Sequence, residues 1–379
     1  IFQPERANSR GVNLADRNVS NALLAGLEAA CKQELTAKPI VAGEELSGRD
    51  EPSVNPADNA EIVGVCHQVT ADGIDKAIQA SVAAQPSWNR RGGHERAAIL
   101  NRAADLYEKH RDELLGLIVR EGGRSIPDAI SELREAVDFM RYYGAQAKKH
   151  FGEPIVLPGP TGERNTYSMR GKGVFIAISP WNFPLAIYTG QITAALAAGN
   201  AVLAKPAAPT PLIGYRAIQL LHEAGVPPDV LHFVPGSGRL IGERAVADPR
   251  IAGVVFTGST EVGRQIQQQL AGTGKGHRRR AAGISELRLD SLGPRNEPPP
   301  APNRTVDLWN DDRQALVLES AGTLVLPIYL PPETAQVRFD LLATMDAGSP
   351  KVTATVGLEE LDGTSTHRSE YTYSAGRSY

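Results

Sequence analysis

Cysteine is almost absent from this chain: Cys31 and Cys66 are the two among 379 residues. They could close at most one bridge, which excludes a disulfide-stapled secreted scaffold. Long apolar runs are missing as well, and none approaches the ~20 residues that a bilayer-spanning helix requires. Charge of one sign is also lacking. The 40 Lys and Arg residues stand against 43 Asp and Glu, a net charge of −3. No global field is left to recruit nucleic acid or an anionic membrane. The first residues, IFQPERANSR, contain neither an initiator Met nor an apolar signal core. The expectation is a fragment of a longer, cytoplasmic polypeptide. What remains is ordinary for a soluble protein: 41% hydrophobic, 22% charged, and long enough for two or three cored domains.

The periodicity changes along the chain. Residues 1–60 are polar, with one helical stretch (Ser20 to Leu35) and a Gly- and Asp-rich loop, and are expected as a connecting segment. EIVGVCHQV, Glu61 to Val69, alternates as a strand does. Helical patterns follow at Asp72–Ala84, with Asp72 as its cap, at His94–Arg120, and at Pro127–His150, which carries proline in its first turn. From Gly173 the rhythm becomes regular. VFIAIS (Val174–Ser179), AVLAK (Ala201–Lys205), Val230–Val234 and Ile251–Phe256 are short apolar runs suited to strands buried on both faces. Helices are expected between and after them: Leu185–Ala198 ending at Gly199, one opening at Thr210-Pro211, Arg239–Ala247, and Ser259–Leu270. Strands and helices alternating at this length imply right-handed crossovers and a Rossmann-type α/β parallel sheet.

After Ala271 that rhythm stops. Residues 272–304 are rich in Gly, Arg and Pro and read as a linker, and GTGKG lacks P-loop spacing and a Ser/Thr after Lys275. In residues 305–379, TLVLPIYL, QVRFDLLA and KVTATVGL look like strands of a β-rich tail.

Three motifs sit at consecutive strand ends. ISPWNFP (Ile178–Pro184) follows the first buried strand, LAKPA (Leu203–Ala207) ends the second, and FTGSTEVG (Phe256–Gly263) joins the fourth strand to a helix. By residue type alone, Asn182 is a turn asparagine, Lys205 a strand-end lysine and the glycines are bends. In this order, however, the motifs resemble those of the aldehyde dehydrogenase superfamily. REAVDFMRYY, LPGPTGERN and SPWNFPLAIYTGQITAALAAGNAVLAKPA are similar to its L-glutamate γ-semialdehyde dehydrogenase branch, the module found in bacterial proline utilisation A. The resemblance covers residues 7–271, and its implied NAD domain is 61–271.

The resemblance implies NAD⁺ as cofactor and a small aldehyde as substrate, oxidised to the carboxylate. It places Ile178, Ser179, Pro180 and Trp181 along the dinucleotide, Lys205 on the adenosine ribose, Gly236 of VPGSG under the adenine, and Phe256, Gly258 and Ser259 at the pyrophosphate. Asn182 would donate to the oxyanion that forms when a thiolate attacks the aldehyde, and Phe183 would line the aldehyde tunnel. Three positions beyond Lys205, where many relatives carry an acidic residue, stands Ala208.

The pattern then departs from the family. Its cysteine nucleophile and glutamate base should follow the phosphate-binding helix, yet residues 272–379 contain no cysteine, and Glu286 and Glu297 lie in unlike contexts. Neither Cys31 nor Cys66 matches the nucleophile's position. The family's oligomerisation elements are expected to be missing too. Three expectations follow: a dehydrogenase by ancestry that lacks its active half, an NAD-binding remnant without turnover, or a β-rich tail acting as a binding module.

Overall fold

A computed structural model describes residues 2–30, 32, 35–159 and 162–270, together with the strands 305–308, 314–317, 352–359 and 365–373. The chain divides into two compact units, Ile1–Arg295 and Asn296–Tyr379. In the first, helix α1 (Arg17–Ala30) precedes β1 (Leu35–Ala37), β2 (Ile40–Val41), β3 (Glu44–Glu45), β4 (Asp50–Asn55) and β5 (Asp58–His67). Helices α2 (Ala71–Arg90), α3 (Gly92–Lys109), α4 (Arg111–Gly122) and α5 (Ile126–Phe151) come next, then a hairpin of β6 (Ile155–Leu157) and β7 (Asn165–Tyr167). The alternating part is β8 (Val174–Ile178), α6 (Ala186–Ala197), β9 (Ala201–Lys205), α7 (Pro211–Glu223) and β10 (Leu231–Phe233). It continues through α8 (Gly238–Ile241), a π-helical turn (Gly242–Val246), β11 (Ile251–Phe256) and α9 (Thr260–Leu270).

The main sheet has the order β11-β8-β9-β10-β2-β3. Its first four strands are parallel, and β2 and β3 are antiparallel additions. The expected Rossmann-type sheet is therefore present. From β8 the chain steps outward through β9 to β10, then returns to place β11 on the other side of β8. That reversal is a topological switch point, and open α/β sheets bind ligands in the crevice at the carboxyl ends of the strands there. Val174, Phe175, Ile176 and Ala177 are buried, as expected for a strand covered by helices on both faces. Gly199 follows α6 with φ +87°, the left-handed conformation that a side chain would oppose.

Several expectations change. Residues 1–60 do not stand apart as a connecting segment: β2 and β3 extend the main sheet, and β1 and β4 flank β5 in a second one. The two- and three-residue strands β1 to β3 are too short to show periodicity. Helix α2 is capped by Thr70, whose hydroxyl accepts from Gly73 N–H at 3.1 Å, and Asp72 is not the cap. It also runs past the expected Ala84 and through Pro86, because Pro86 is on the exposed face while Trp88 beyond it is buried. The Trp88 indole donates to Leu196 O at 3.1 Å, anchoring that extension. His94–Arg120 is two helices that part at His110 (φ −94°, ψ 25°). Helix α3 packs on α5 and α4 on α1, so one straight rod could not bury both apolar faces. The helix expected at Arg239–Ala247 is the short α8 followed by the π turn.

Buried His232 ties β10 to the N-terminal strands. Its Nδ1 accepts the Ala42 N–H at 3.0 Å and its Nε2–H donates to Asp229 O at 3.2 Å. Burial pushes its pKa down to about 4. The unfolded chain takes up a proton near the free-histidine value while the folded one resists. Stability should therefore fall as pH drops from ~6.5 toward 4, by about 3 kcal/mol in total. Urea midpoints across that range test this, and His232→Asn, which keeps an acceptor without a titrating ring, should lack that component.

The second unit contains β12 (Thr305–Leu308) paired antiparallel with β13 (Gln314–Val317), and β14 (Val352–Glu359) paired antiparallel with β15 (Ser365–Tyr373). Strand β14 coincides with KVTATVGL. TLVLPIYL, QVRFDLLA, the 272–304 linker, Glu286 and Glu297 lie outside the described residues, as does Cys31.

Candidate functional site

Strand register alone brings the three motifs together. Phe256 of β11 is level with Ile178 of β8, and Ile178 is level with Lys205 of β9. The backbone extends the line, since Thr257 N–H donates to Ile178 O at 3.1 Å and Ser179 N–H to Lys205 O at 3.4 Å. Above these strand ends opens a cavity of about 1110 Å³. Single small-molecule sites occupy ~300–1,000 Å³, so this one suits a large ligand.

Ile178, Ser179, Pro180, Trp181, Asn182, Phe183, Lys205, Phe256, Gly258 and Ser259 all line it. Gly236 does not. A Cβ there would lie 3.1 Å from Val69 Cγ1, and Val69 N–H donates to Pro235 O at 2.7 Å. The absence of a side chain at Gly236 thus lets the loop pack on the start of α2 and leaves no face to the cavity. Gly238, two residues on, is the glycine at the wall. Gly258 is required for space: a Cβ would come within 2.7 Å of the Phe256 ring.

The SPWNFP loop is held from below by two residues that the sequence reading did not single out. Buried Glu132, on α5, accepts Leu185 N–H at 2.7 Å and Ala186 N–H at 3.2 Å, capping α6 in trans. Its other oxygen lies 3.3 Å from Arg124 Nε. Arg124 donates in turn to the Asn182 backbone carbonyl, and its guanidinium stacks 4.3 Å from the centre of the Phe183 ring. Burial raises the Glu132 pKa, while the two N–H donors and Arg124 oppose that shift. Backbone and Phe183 are thereby fixed, leaving the Asn182 carboxamide on the exposed rim without a hydrogen bond among the described residues.

Helix α7 is held in the same manner. Thr210, expected as its cap, has a buried hydroxyl with no partner among the described residues. Glu121 caps the helix instead, accepting Leu212 N–H at 2.8 Å, Ile213 N–H at 2.9 Å and the Ser53 hydroxyl at 2.8 Å. Burial pushes its pKa up to about 7, against the pull of those three bonds. This clamp fixes the β9–α7 loop, whose Ala207, Ala208 and Pro209 form part of the cavity wall.

The remaining wall comes from Arg239, Ile241, Gly242, Glu243 and Val246, and from one face of α9 carrying Val262, Gln265, Ile266 and Gln269. The three- and four-residue spacing on α9 was a readable signal for that face. Gln269 Nε2 donates to Gly242 O at 2.6 Å and ties α9 to the π turn. Ser259 accepts Val262 N–H at 3.3 Å, a side-chain cap at the helix start that faces the cavity.

The electrostatics suit an anion. Lys205 is half-buried, burial lowers its pKa, and its ammonium has no hydrogen-bonding partner among the described residues. Arg239 is the other cation of the wall, and Glu243, its only carboxylate, pairs with Arg239 at 2.9 Å. No cysteine or histidine lines the cavity. Cys66 lies fully buried in β5, its thiol pushed up to about 12 by burial and by the charges of Glu121 and Glu51. At neutral pH it is a thiol packed in the core, with no thiolate character.

A parallel sheet with its cavity at the switch point, a free lysine at one strand end and a helix start at another define a nucleotide-binding α/β domain. Comparison with known proteins gives the family. The aldehyde dehydrogenase family model matches residues 43–283, and the chain belongs to that family. It is 44% identical over 271 residues to the bifunctional protein PutA of Salmonella typhimurium, covering 72% of this chain and 20% of that protein. It is 38% identical over 258 residues to 1-pyrroline-5-carboxylate dehydrogenase of Geobacillus thermodenitrificans, covering 68% of this chain and 50% of the relative. Among solved structures, proline utilization A of Bradyrhizobium japonicum superposes with a TM-score of 0.61 at 46% identity, over 72% of this chain and 24% of that one. The NAD-bound 1-pyrroline-5-carboxylate dehydrogenase of Thermus superposes with a TM-score of 0.67 at 32% identity, over 71% of this chain and 52% of the other. The chain thus spans about a fifth of the PutA proteins and about half of the dehydrogenases. Among the described residues, no helix is long and apolar enough to cross a membrane.

Proposed function

We propose that this chain binds a nicotinamide dinucleotide in the cavity above β8, β9 and β11, as the cofactor-binding part of a dehydrogenase for L-glutamate γ-semialdehyde. The observation that carries the reading is the unpartnered Lys205 ammonium, level with Ile178 and Phe256 and opening onto a cavity large enough for a dinucleotide. Lys205 would hold the adenosine ribose hydroxyls. Ser259 and the start of α9 would face the pyrophosphate, since helix N-termini favour negative charge. Trp181 and the Ile178–Pro180 strand end would flank the chain of the ligand. The bound cofactor would supply the hydride acceptor of an aldehyde oxidation.

Substrate and reaction come from the relatives' likeness. Within the chain's own chemistry, Asn182 offers a carboxamide to a developing oxyanion, and Phe183 an apolar wall. What the cavity does not offer is a nucleophile, because acyl-enzyme oxidation of an aldehyde begins with a thiolate and the wall carries no cysteine. The proposal is therefore dinucleotide binding without turnover by this polypeptide. Calorimetric titration with NAD⁺ should give saturable binding. Lys205→Ala should weaken it roughly tenfold, the loss of one or two hydrogen bonds to a charged donor. Unchanged affinity in that variant would reject the ribose assignment.

A further inference from the structure

The cavity wall around Lys205 carries an unusual charge set for a ribose diol. Sites that select an unmodified ribose place a carboxylate beside it, to accept from the 2′-hydroxyl and to repel a 2′-phosphate. Sites that accept the phosphate substitute a nearby cation. Here the carboxyl end of β9 and its following loop contribute Lys205, Ala207, Ala208 and Pro209 to the cavity, and no carboxylate. The nearest acid toward α7, Glu121, is buried, with both oxygens engaged by Leu212, Ile213 and Ser53. Glu243 across the wall is paired with the guanidinium of Arg239. Ala208 itself is exposed at the cavity's edge, so a phosphate there meets a methyl group and solvent.

From this arrangement we infer that the site accepts a 2′-phosphorylated dinucleotide, NADP⁺, at least as well as NAD⁺, with Lys205 as the phosphate's partner. The inference rests on the cofactor reading above and deepens it. An ammonium with no internal partner has none to give up when a phosphate arrives. A unit charge pair at about 4 Å near a protein surface is worth several kcal/mol before solvation is subtracted, and a carboxylate at position 208 would return a comparable repulsion. Ala208 is thus the specificity-determining position.

Calorimetric titration of the full chain with NAD⁺, NADP⁺ and 2′,5′-ADP, for wild type and Ala208→Glu, tests the inference. Wild type should bind NADP⁺ no more weakly than NAD⁺ and should bind 2′,5′-ADP more tightly than 5′-AMP. In Ala208→Glu the ratio of the two dinucleotide affinities should move toward NAD⁺ by roughly tenfold or more. A preference for NAD⁺ by that factor in wild type, or a ratio unmoved by Ala208→Glu, would overturn the 2′-phosphate assignment and leave dinucleotide binding standing. If neither dinucleotide binds, the cofactor reading falls, and this inference with it.

Discussion

Glu121→Ala is expected to lower the unfolding free energy by about 3 kcal/mol at pH 5, because it orphans two buried backbone donors and a hydroxyl, each worth ~1–3 kcal/mol. The carboxyl group spans three elements: Ser53 lies on β4, Glu121 on α4, and Leu212 and Ile213 begin α7. Its effect should depend on pH in a way that a simple cavity would not. Burial raises the folded pKa to about 7. The unfolded chain releases the proton at the ordinary glutamate value. The contribution of neutral Glu121 is therefore fully present below about pH 4.5 and is lost as pH rises to 7, by about 3 kcal/mol. The gap between wild type and Glu121→Ala should narrow between pH 5 and pH 8. A gap that stays constant in urea unfolding across that range would mean that Glu121 is not the titrating clamp described above. The trend opposes that of His232, whose contribution is lost toward acid, so the two variants separate the two limbs of one stability profile.

With L-glutamate γ-semialdehyde and NAD⁺, the chain is expected to produce no NADH above the enzyme-free control. The expected deficit is large. Removing a catalytic nucleophile costs on the order of 10⁶ in kcat in the enzyme where it has been dissected, with the oxyanion donors and binding groups left in place. The physical reason is that Asn182 stabilises a charge that arises only after attack on the carbonyl. Of the two thiols, Cys66 is core-buried and held protonated, and Cys31 precedes the whole sheet in sequence. Absorbance at the nicotinamide band over hours measures this. Turnover at the rate of an ordinary dehydrogenase, or an acyl adduct on either cysteine, would contradict it.

What could be read from the sequence was whatever is local. The apolar runs Val174–Ser179, Ala201–Lys205 and Ile251–Phe256 define strands by length and composition, and each motif begins where its strand ends. Parallel register then necessarily lines up Ile178, Lys205 and Phe256. What could not be read was whatever depends on distant partners. Glu121 and Glu132 sit in helices whose outer faces are full of charge, and nothing in their neighbours distinguishes a capping carboxylate 91 or 53 residues away. Thr210-Pro211 carried the right local signal for a helix start and the wrong donor set, because Glu121 had taken the N–H groups. Gly236 failed for the same reason in reverse. A glycine in a loop signals close approach, yet it does not say whether ligand or protein is approaching, and here it is Val69. Residues 1–60 were misjudged because strands of two or three residues have no period, and only their partners β5 and β10 reveal them.

Hydrogen–deuterium exchange with and without NAD⁺ tests most directly whether three strand ends act as one cofactor cradle. The cofactor should slow exchange at residues 178–186, 205–210 and 256–263 together, leaving β4, β5 and the β6–β7 hairpin unchanged. Protection confined to one of those segments, or none at saturating NAD⁺, would contradict the shared cavity as the binding site.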